Sequence, residues 1–358
     1  MRVLLATTHI HYPQGGGGLE RNTHELCLVL RRRGVQPAVA ASMVPRGWLV
    51  QANRLKRLVL RQAYPRDSFC GYPVYRGWTP EGAAEAVHRF RPDIAVAQNP
   101  EPERLLAALE GAGVPTAVYV HEVERVDHLG AIRARGVPFI ANSGFTARRL
   151  RERCGIEAPV VRPLIDPAHY RLAPAPGRVL FVNTVARKGV AVARALAEAR
   201  PDIPFDMVMS WTLKEPARRE LRDWARRHPN VTLHAPRRDM RPLYARARVL
   251  LVPSQWEESW GRVASEAQIN GTPVLASNRG GLPESVGPGG LLLPHDAPVA
   301  DWAAALGRLW DDKTLYAELS AAARAHAARR EIQPEAVADA FRDALQGFLR
   351  LSQPRRAA

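Results

Sequence analysis

The sequence predicts an α/β protein built from two doubly wound domains, each on its own parallel sheet. Three observations carry this. Short runs rich in Val, Ile and Leu alternate with helical patterns along nearly the whole chain, as parallel strands joined by crossover helices do. The strand runs are continuously apolar rather than alternating, as in sheets covered on both faces. And 358 residues make about two domains at roughly 150 residues each.

In order, the first series places strands at 3–6, 37–41, 94–97, 116–120 and 139–142, with helices at 19–33, 81–89, 102–111 and 146–154. A further helix is expected at 51–63. A proline-rich stretch, with Pro163, Pro167, Pro174 and Pro176, reads as the linker. The second series places strands at 178–182, 205–209, 231–233, 249–252, 273–276 and 291–293. Its helices fall at 190–199, 215–227, 262–269, 299–310 and 315–329. The domains are therefore expected at 1–165 and 177–333. A last helix over 334–351 follows a completed second domain, and the tail beyond it reads as frayed. Ligands of such sheets sit at the carboxyl ends of strands. The loops after strands, and a cleft between the two sheets, are the expected site.

The composition narrows the class. With 46% hydrophobic and 24% charged residues, the chain is neither a disordered tail, a collagen nor a small disulfide-stapled scaffold. No apolar run approaches the roughly 18 residues of a membrane-spanning helix, and the first residues enter a strand pattern rather than a signal peptide. Cys27, Cys70 and Cys154 are widely spaced and form no CxxC pair, which speaks against thiol-zinc and thioredoxin-like chemistry and for a reducing cytoplasm. The net charge is +16, with 47 Arg and 4 Lys among the 51 basic residues. Part of that skew reflects base composition. Its sign still favours anionic partners such as nucleotide phosphates, anionic lipid or nucleic acid. Against a dedicated nucleic-acid binder stand 7% aromatics, the spread of Arg over both domains, and the lack of a recognised motif. No specific nucleic acid is expected as partner.

The first strand runs into Thr7-Thr8-His9-Ile10-His11-Tyr12-Pro13-Gln14, four glycines from Gly15 to Gly18, and a helix. Glycines let backbone approach a ligand, and a helix N-terminus offers free N–H groups to an anion; a plain flexible turn is the alternative. Glu20 stands where a dinucleotide fingerprint needs its third glycine, and no Walker Lys-Ser/Thr pair follows. Hydride transfer and ATP hydrolysis lose support. His9 and His11 have no carboxylate spaced to complete a metal site and read as pocket-lining groups.

The most informative stretch is Pro253-Ser254-Gln255-Trp256-Glu257-Glu258-Ser259-Trp260-Gly261-Arg262-Val263-Ala264-Ser265-Glu266-Ala267. Glu258 falls in the loop after a strand, and Glu266 about one turn inside the following helix. An ionised carboxylate is a pure acceptor with two oxygens, so each can hold a vicinal diol. The loop N–H groups between them suit a diphosphate. Solvated helix charge is the plainer alternative. Asn270-Gly271-Thr272-Pro273-Val274 and Arg279-Gly280-Gly281-Leu282-Pro283-Glu284 follow.

This string resembles the donor-site signature of retaining GT-B glycosyltransferases of family 4, whose hallmark is two glutamates separated by seven residues. The glycine loop, His121 at a strand end, Ala141-Asn142-Ser143 before a helix, Asp166-Pro167, and Asn230-Val231-Thr232-Leu233 agree with the family. So does the final helix, which in this family crosses back to the first domain. The resemblance implies a GT-B fold, two Rossmann-like domains facing a cleft, with the acceptor on the first and a nucleotide-sugar on the second. It implies that Glu258 holds the donor sugar, aided by the N–H groups of Ser259, Trp260 and Gly261, and that Glu266 holds the ribose. It implies that Lys188 neutralises the diphosphate, that His121 meets the sugar near the reacting carbon, and that Gly17 and Gly18 approach the donor.

The loop before Lys188 departs from the family. Asn183-Thr184 replace the usual glycine and arginine, and the loop is one residue shorter. The second phosphate cation is then Arg262 or Arg187, with Arg262 preferred. A catalytically silent homologue stays open as the alternative. His9, His11, Asn99 and Glu101 are the expected acceptor side, and residues 235–240 are expected to meet the base. The implied reaction keeps the anomeric configuration, uses no metal and no cofactor beyond a UDP- or GDP-sugar co-substrate, and acts on a saccharide, lipid-linked or small-molecule hydroxyl. Finally, 46–66 carries Arg46, Arg54, Lys56, Arg57, Arg61 and Arg66 with no acid. Ala52, Leu55, Leu58, Val59 and Gln62 fall on one side of its helix, and Arg54, Arg57 and Arg61 on another. Peripheral contact with an anionic membrane, an anionic acceptor, or an ordinary surface helix all fit this pattern.

Overall fold

In a computed structural model of the chain, residues 1–44, 47–61, 64–77, 79, 82–98, 100–124, 126–210 and 212–352 are described. They form two compact units, Met1–Leu164 with Glu331–Ala358, and Ile165–Arg330.

The first unit runs β1 (Arg2–Ile10), α1 (Gly18–Arg32), β2 (Gln36–Ser42), α2 (Trp48–Leu60), β3 (Arg66–Asp67), β4 (Val74–Gly77), α3 (Ala83–Phe90), β5 (Ile94–Gln98), α4 (Pro102–Gly111), β6 (Thr116–Val120), α5 (Leu129–Arg133), β7 (Phe139–Ala141) and α6 (Gly144–Cys154), and regains α15 (Pro334–Ser352). Its sheet has the order β3-β4-β2-β1-β5-β6-β7. All pairs are parallel except β3 with β4. The two faces of β1 go to two cores, as a doubly covered strand requires. Leu4 and Ala6 pack with Leu105, Leu109 and Val118. Val3 and Leu5 pack with Leu26, Leu30 and, from α15, Val337, Phe341 and Leu345.

The second unit runs α7 (Pro167–Tyr170), β8 (Arg178–Val182), α8 (Val190–Ala199), β9 (Phe205–Val208), α9 (Glu215–Arg226), β10 (Val231–His234), α10 (Arg241–Arg246), β11 (Ala247–Val252), α11 (Arg262–Gln268), β12 (Val274–Ser277), α12 (Leu282–Val286), β13 (Gly290–Leu293), α13 (Val299–Asp311) and α14 (Lys313–Ala327). Its parallel sheet has the order β10-β9-β8-β11-β12-β13.

Both units are thus doubly wound α/β sheets of the expected class. Some details differ from the sequence reading. The strands β3 and β4 were not anticipated, because β3 is two residues long and β4 carries a charge. That charge, Arg76, is fully buried because Arg76 Nε donates to Asp67 Oδ2 at 2.6 Å. The helix expected at 51–63 starts three residues earlier, at Trp48, and ends at Leu60, with residues 62–63 outside the described set. The expected linker holds the short helix α7, whose first turn Asp166 caps by accepting from the Ala168 N–H.

In each sheet the strand order reverses once, between β1 and β5 and between β8 and β11. At such a switch point the loops leave in opposite directions and open a crevice at the strands' carboxyl ends. In the second unit the loops concerned contain Lys188 and Glu258.

Candidate active site

The loop after β8 turns through Asn183, at φ +70°, a left-handed conformation that Asn tolerates better than most side chains. Asn therefore serves where the family signature has glycine. Thr184, in the arginine's place, is buried, and its hydroxyl has no partner among the described residues. A 3-10 turn over Ala186–Lys188 follows and brings Lys188 to the loop after β11.

There Lys188 Nζ donates to Glu258 Oε1. Ser254 Oγ donates to the same oxygen at 2.7 Å. Burial alone would raise the Glu258 carboxyl, but the Lys188 ammonium and the hydrogen bonds outweigh it and hold the group below the usual carboxylate range. Glu258 is therefore an ionised acceptor in a dry setting, as a group that grips hydroxyls must be. Arg187 and Lys188 both lie over the Trp256 ring, at 4.6 and 4.8 Å from its centroid.

Glycines lace the loop. Gly189 has φ +80°, and a Cβ there would stand 2.0 Å from the Pro253 carbonyl oxygen. Gly280, after β12, has φ +64°, and its Cβ would meet the Glu258 carbonyl at 2.4 Å. Only residues without a Cβ allow the three strand-end loops to close this tightly. The Gln255 N–H donates to Arg187 O at 2.9 Å and the Gly281 N–H to Glu258 O at 2.6 Å, which fixes the register.

Glu266 lies one turn into α11 and is buried. Tyr170 donates to its Oε1 at 3.1 Å and Tyr244 to its Oε2 at 2.6 Å. Arg262 Nε donates to Oε1 at 3.2 Å. No sequence signal marks the two tyrosines, which arrive from α7 and α10. Gly261 precedes α11 at φ +90°. Ser259 is partly exposed. The Trp260 side chain is buried, with its indole N–H donated to Ser265 Oγ at 3.2 Å, so only its backbone is available to a ligand.

In the first unit, the switch point gathers His121, Gln98 and the start of α1. His121 follows β6, with its ring 3.9 Å from that of Tyr119. Its Nε2 lies 3.0 Å from Gln98 Oε1, which also accepts from Thr23 Oγ1 at 3.0 Å. His9 is half-exposed at the end of β1, 3.3 Å from Glu20 Oε1, and that contact raises its pKa against the opposing effect of burial. Gly17 and Gly18 are exposed at the start of α1. A Cβ at Gly17 would meet Glu20 Oε2 at 2.5 Å, so this glycine makes room for Glu20. Glu101 precedes α4 and pairs with Arg104 at 3.2 Å. Asn99 lies outside the described residues. The acceptor expectation for His11 is corrected: His11 is fully buried, with Nε2 2.9 Å from the Tyr72 hydroxyl, because the chain turns inward after β1.

Both halves of the chain match family models: residues 16–169 match Glycosyltransferase Family 4, and residues 177–312 match Glycosyl transferases group 1. The chain has the GT-B fold, and each of its halves is similar to a glycosyltransferase family. Among curated relatives, a D-inositol 3-phosphate glycosyltransferase of Streptomyces bingchenggensis is 44% identical over 112 residues, 30% of this chain and 24% of that protein. One of Paenarthrobacter aurescens is 32% identical over 190 residues, 48% of this chain and 45% of that protein. The matches thus span less than half the length of these relatives. Among solved structures, HepE of Anabaena in complex with UDP and glucose has a TM-score of 0.75 at 19% identity, covering 96% of this chain and 99% of that one. Sucrose-phosphate synthase of Thermosynechococcus elongatus has a TM-score of 0.78 at 17% identity, covering 98% of this chain and 100% of that one. At these identities the structural likeness establishes the fold.

Proposed function

We propose that this protein transfers a sugar, with retention of anomeric configuration and without a metal, from a UDP- or GDP-sugar to a hydroxyl of a saccharide, a lipid-linked acceptor or a small molecule. The single observation that carries this is the pair of buried carboxylates at the second unit's switch point. Glu258 is ionised beside Lys188, and Glu266 is held by two tyrosines and Arg262. The second unit takes the donor in this reading. Glu258 accepts from the sugar hydroxyls and Glu266 from the ribose. Lys188 and Arg262 face the diphosphate, and the N–H groups of Ser259, Trp260 and Gly261 assist.

A nucleoside diphosphate gains negative charge as it leaves, so fixed cations act where the transition state needs them. The departing phosphate takes the acceptor's proton on the same face, and the protein contributes position and charge. His121 and the loop with His9 and Glu101 serve the sugar and acceptor in the first unit. That HepE holds UDP and glucose supports a UDP-sugar. The inositol phosphate named for the curated relatives supports a cyclitol-like or saccharide acceptor.

Thermal-shift titrations with UDP, GDP, ADP and dTDP, in wild type and Glu266→Ala, test this. Ligand binding to the native state adds about 2.7 kcal/mol at a hundredfold excess over Kd. A shift with one nucleotide, lost in the variant, supports the reading. No shift with any of them turns it toward a silent homologue. The anomeric configuration of the product, read by NMR, tests retention.

We further propose a cytoplasmic enzyme that meets an anionic membrane through α2. Trp48, Leu55, Leu58, Val59 and Leu60 are exposed there. Trp48 packs edge-on against the exposed Phe69, at 4.9 Å between ring centroids. The buried side of the helix is Leu49, Val50 and Asn53. The apolar stripe at Leu55, Leu58 and Val59 therefore faces outward, beside Arg54, Arg57 and Arg61. Basic residues flanking exposed apolar ones suit a headgroup layer. Arg46 lies outside the described residues. No described helix is long and apolar enough to cross a membrane.

A further inference from the structure

We propose that His11, His24 and Cys70 form a binding site for a borderline or soft transition-metal ion, Zn2+ or Cu+, in the first unit and apart from the groups assigned to transfer. The three residues come from three segments: His11 directly after β1, His24 on α1, and Cys70 between β3 and β4. Their ligand atoms all lie within 4.8 Å of one another. The Tyr72 hydroxyl stands between the rings, 2.9 Å from His11 Nε2 and 2.8 Å from His24 Nδ1.

A second observation points the same way. His11 is fully buried, yet its Nδ1 has no hydrogen-bond partner among the described residues. A buried polar atom without a partner is unfavourable, so such an atom needs a physical reason. Coordination at one ring nitrogen, with the other kept on Tyr72, supplies one.

The donor set selects the ion. Two imidazoles and one thiol are the ligands of zinc and of copper(I), not of magnesium or calcium, which want oxygen. At Zn–N of about 2.0–2.1 Å and Zn–S of about 2.3 Å, tetrahedral ligand atoms stand roughly 3.3–3.6 Å apart. Side-chain rotation by about 1 Å therefore closes the set. A water completes it. Arg76 is close but does not bar a cation, because Asp67 neutralises it at 2.6 Å.

The Cys70 thiol binds the ion as thiolate, so the ion must displace a proton. The balance is one metal–sulfur bond formed, one S–H bond broken, and one proton released to solvent, with no change in oxidation state. Bound there, the ion clips the loop after β1 to α1 and to the β3–β4 edge of the sheet. No carboxylate spaced near His11 in the sequence is needed, because His24 and Cys70 take its place.

The test is cobalt(II) titration of the full-length, EDTA-dialysed protein, followed by zinc competition. The expected result is one equivalent of Co2+ bound, with a thiolate-to-cobalt charge-transfer band and the visible bands of a tetrahedral site, both erased by one equivalent of Zn2+. Cys70→Ser loses the charge-transfer band, and His24→Ala weakens binding at least about tenfold. Cys154→Ser, whose thiol instead donates to Val126 O at 3.0 Å, keeps the full spectrum. Folding of each variant is read by circular dichroism. A wild-type titration without a charge-transfer band, or one that Cys70→Ser leaves unchanged, overturns the proposal.

Discussion

Lys188 Nζ donates to Glu258 Oε1 at the switch point of the second sheet, and Ser254 Oγ donates to the same oxygen. The pair is largely buried, with side-chain exposures of 19% and 10%. Removing one partner strands the other's charge. Lys188→Ala is therefore expected to lower stability by about 2–3 kcal/mol, somewhat less than for a wholly buried pair, and to cut turnover at least about a hundredfold if the cation serves the leaving group. Urea denaturation and initial rates measure the two separately.

The same contact gives a pH dependence of known sign. The Glu258 carboxyl has a lowered pKa in the folded protein. Its stabilisation is fully present above the unfolded value, about 4.3. It is lost as pH falls through the lowered folded value. Thermal melts between neutral and strongly acid pH are expected to show a loss of stability that is shallower in Glu258→Gln. Equal slopes in the two proteins would contradict the assignment.

The loop geometry rests on two glycines that a methyl group cannot replace. Gly189→Ala and Gly280→Ala each place a Cβ within 2.4 Å of a carbonyl oxygen of the Pro253–Glu258 loop, at positive φ. Strain of this kind costs of order 1–3 kcal/mol before the clash is counted. Both variants are expected to lose nucleotide binding in calorimetry while far-ultraviolet dichroism stays near wild type. Gly113→Ala, also at positive φ but with open space around its Cβ, separates backbone strain from the clash.

Much of this was legible in the sequence, for physical reasons. Strands such as β1 and β11 contain unbroken apolar runs, at 3–6 and 249–252, and the burial of those runs follows from their composition. Glu258 and Glu266 stand out in the sequence as a carboxylate pair in the loop and helix after a strand, and Lys188 stands out through the family resemblance. What stayed hidden depends on three-dimensional meeting. Tyr170 and Tyr244 reach Glu266 from two other elements. Arg76 sits in a strand because Asp67 is bonded to it, which no local pattern announces. His11 reads as a pocket residue in the sequence because it falls in the loop after the first strand, whereas the turn after β1 buries it against Tyr72.

The tyrosines give the next test. Each donates to an oxygen of Glu266, at 3.1 and 2.6 Å, and hydrogen bonds to a charged group are worth roughly 1.5–3 kcal/mol. If Glu266 holds the ribose in ground and transition states alike, loosening it removes uniform binding. Tyr244→Phe is then expected to raise the donor KM about tenfold with kcat nearly unchanged, and Tyr170→Phe to do the same more weakly. A fall in kcat at constant KM would place Glu266 nearer the reacting atoms.

The C-terminal helix is part of the first unit's core although it follows the second in sequence. Phe341 of α15 is fully buried beside Tyr119, with ring centroids 5.8 Å apart. Phe341→Ala is expected to cost about 3–5 kcal/mol. Hydrogen exchange should show the loss in β1, α1 and β6 and leave β8–β13 protected. Loss spread evenly over both units would mean that they unfold as one.

The outward stripe of α2 makes a prediction that separates charge from burial. Anionic lipid attracts basic residues through a field that salt screens, whereas apolar insertion responds weakly to salt. Sedimentation with vesicles of phosphatidylcholine alone and with added phosphatidylglycerol should show binding only to the latter. Leu58→Glu, at a position 79% exposed, removes a contact that the folded chain does not use and adds a charge opposed to the lipid's. It is expected to abolish binding without lowering thermal stability. Arg54→Gln with Arg57→Gln is expected to weaken binding and flatten its salt dependence. If neither variant changes sedimentation, the arginines are surface groups of an ordinary helix, and the acceptor need not come from a membrane.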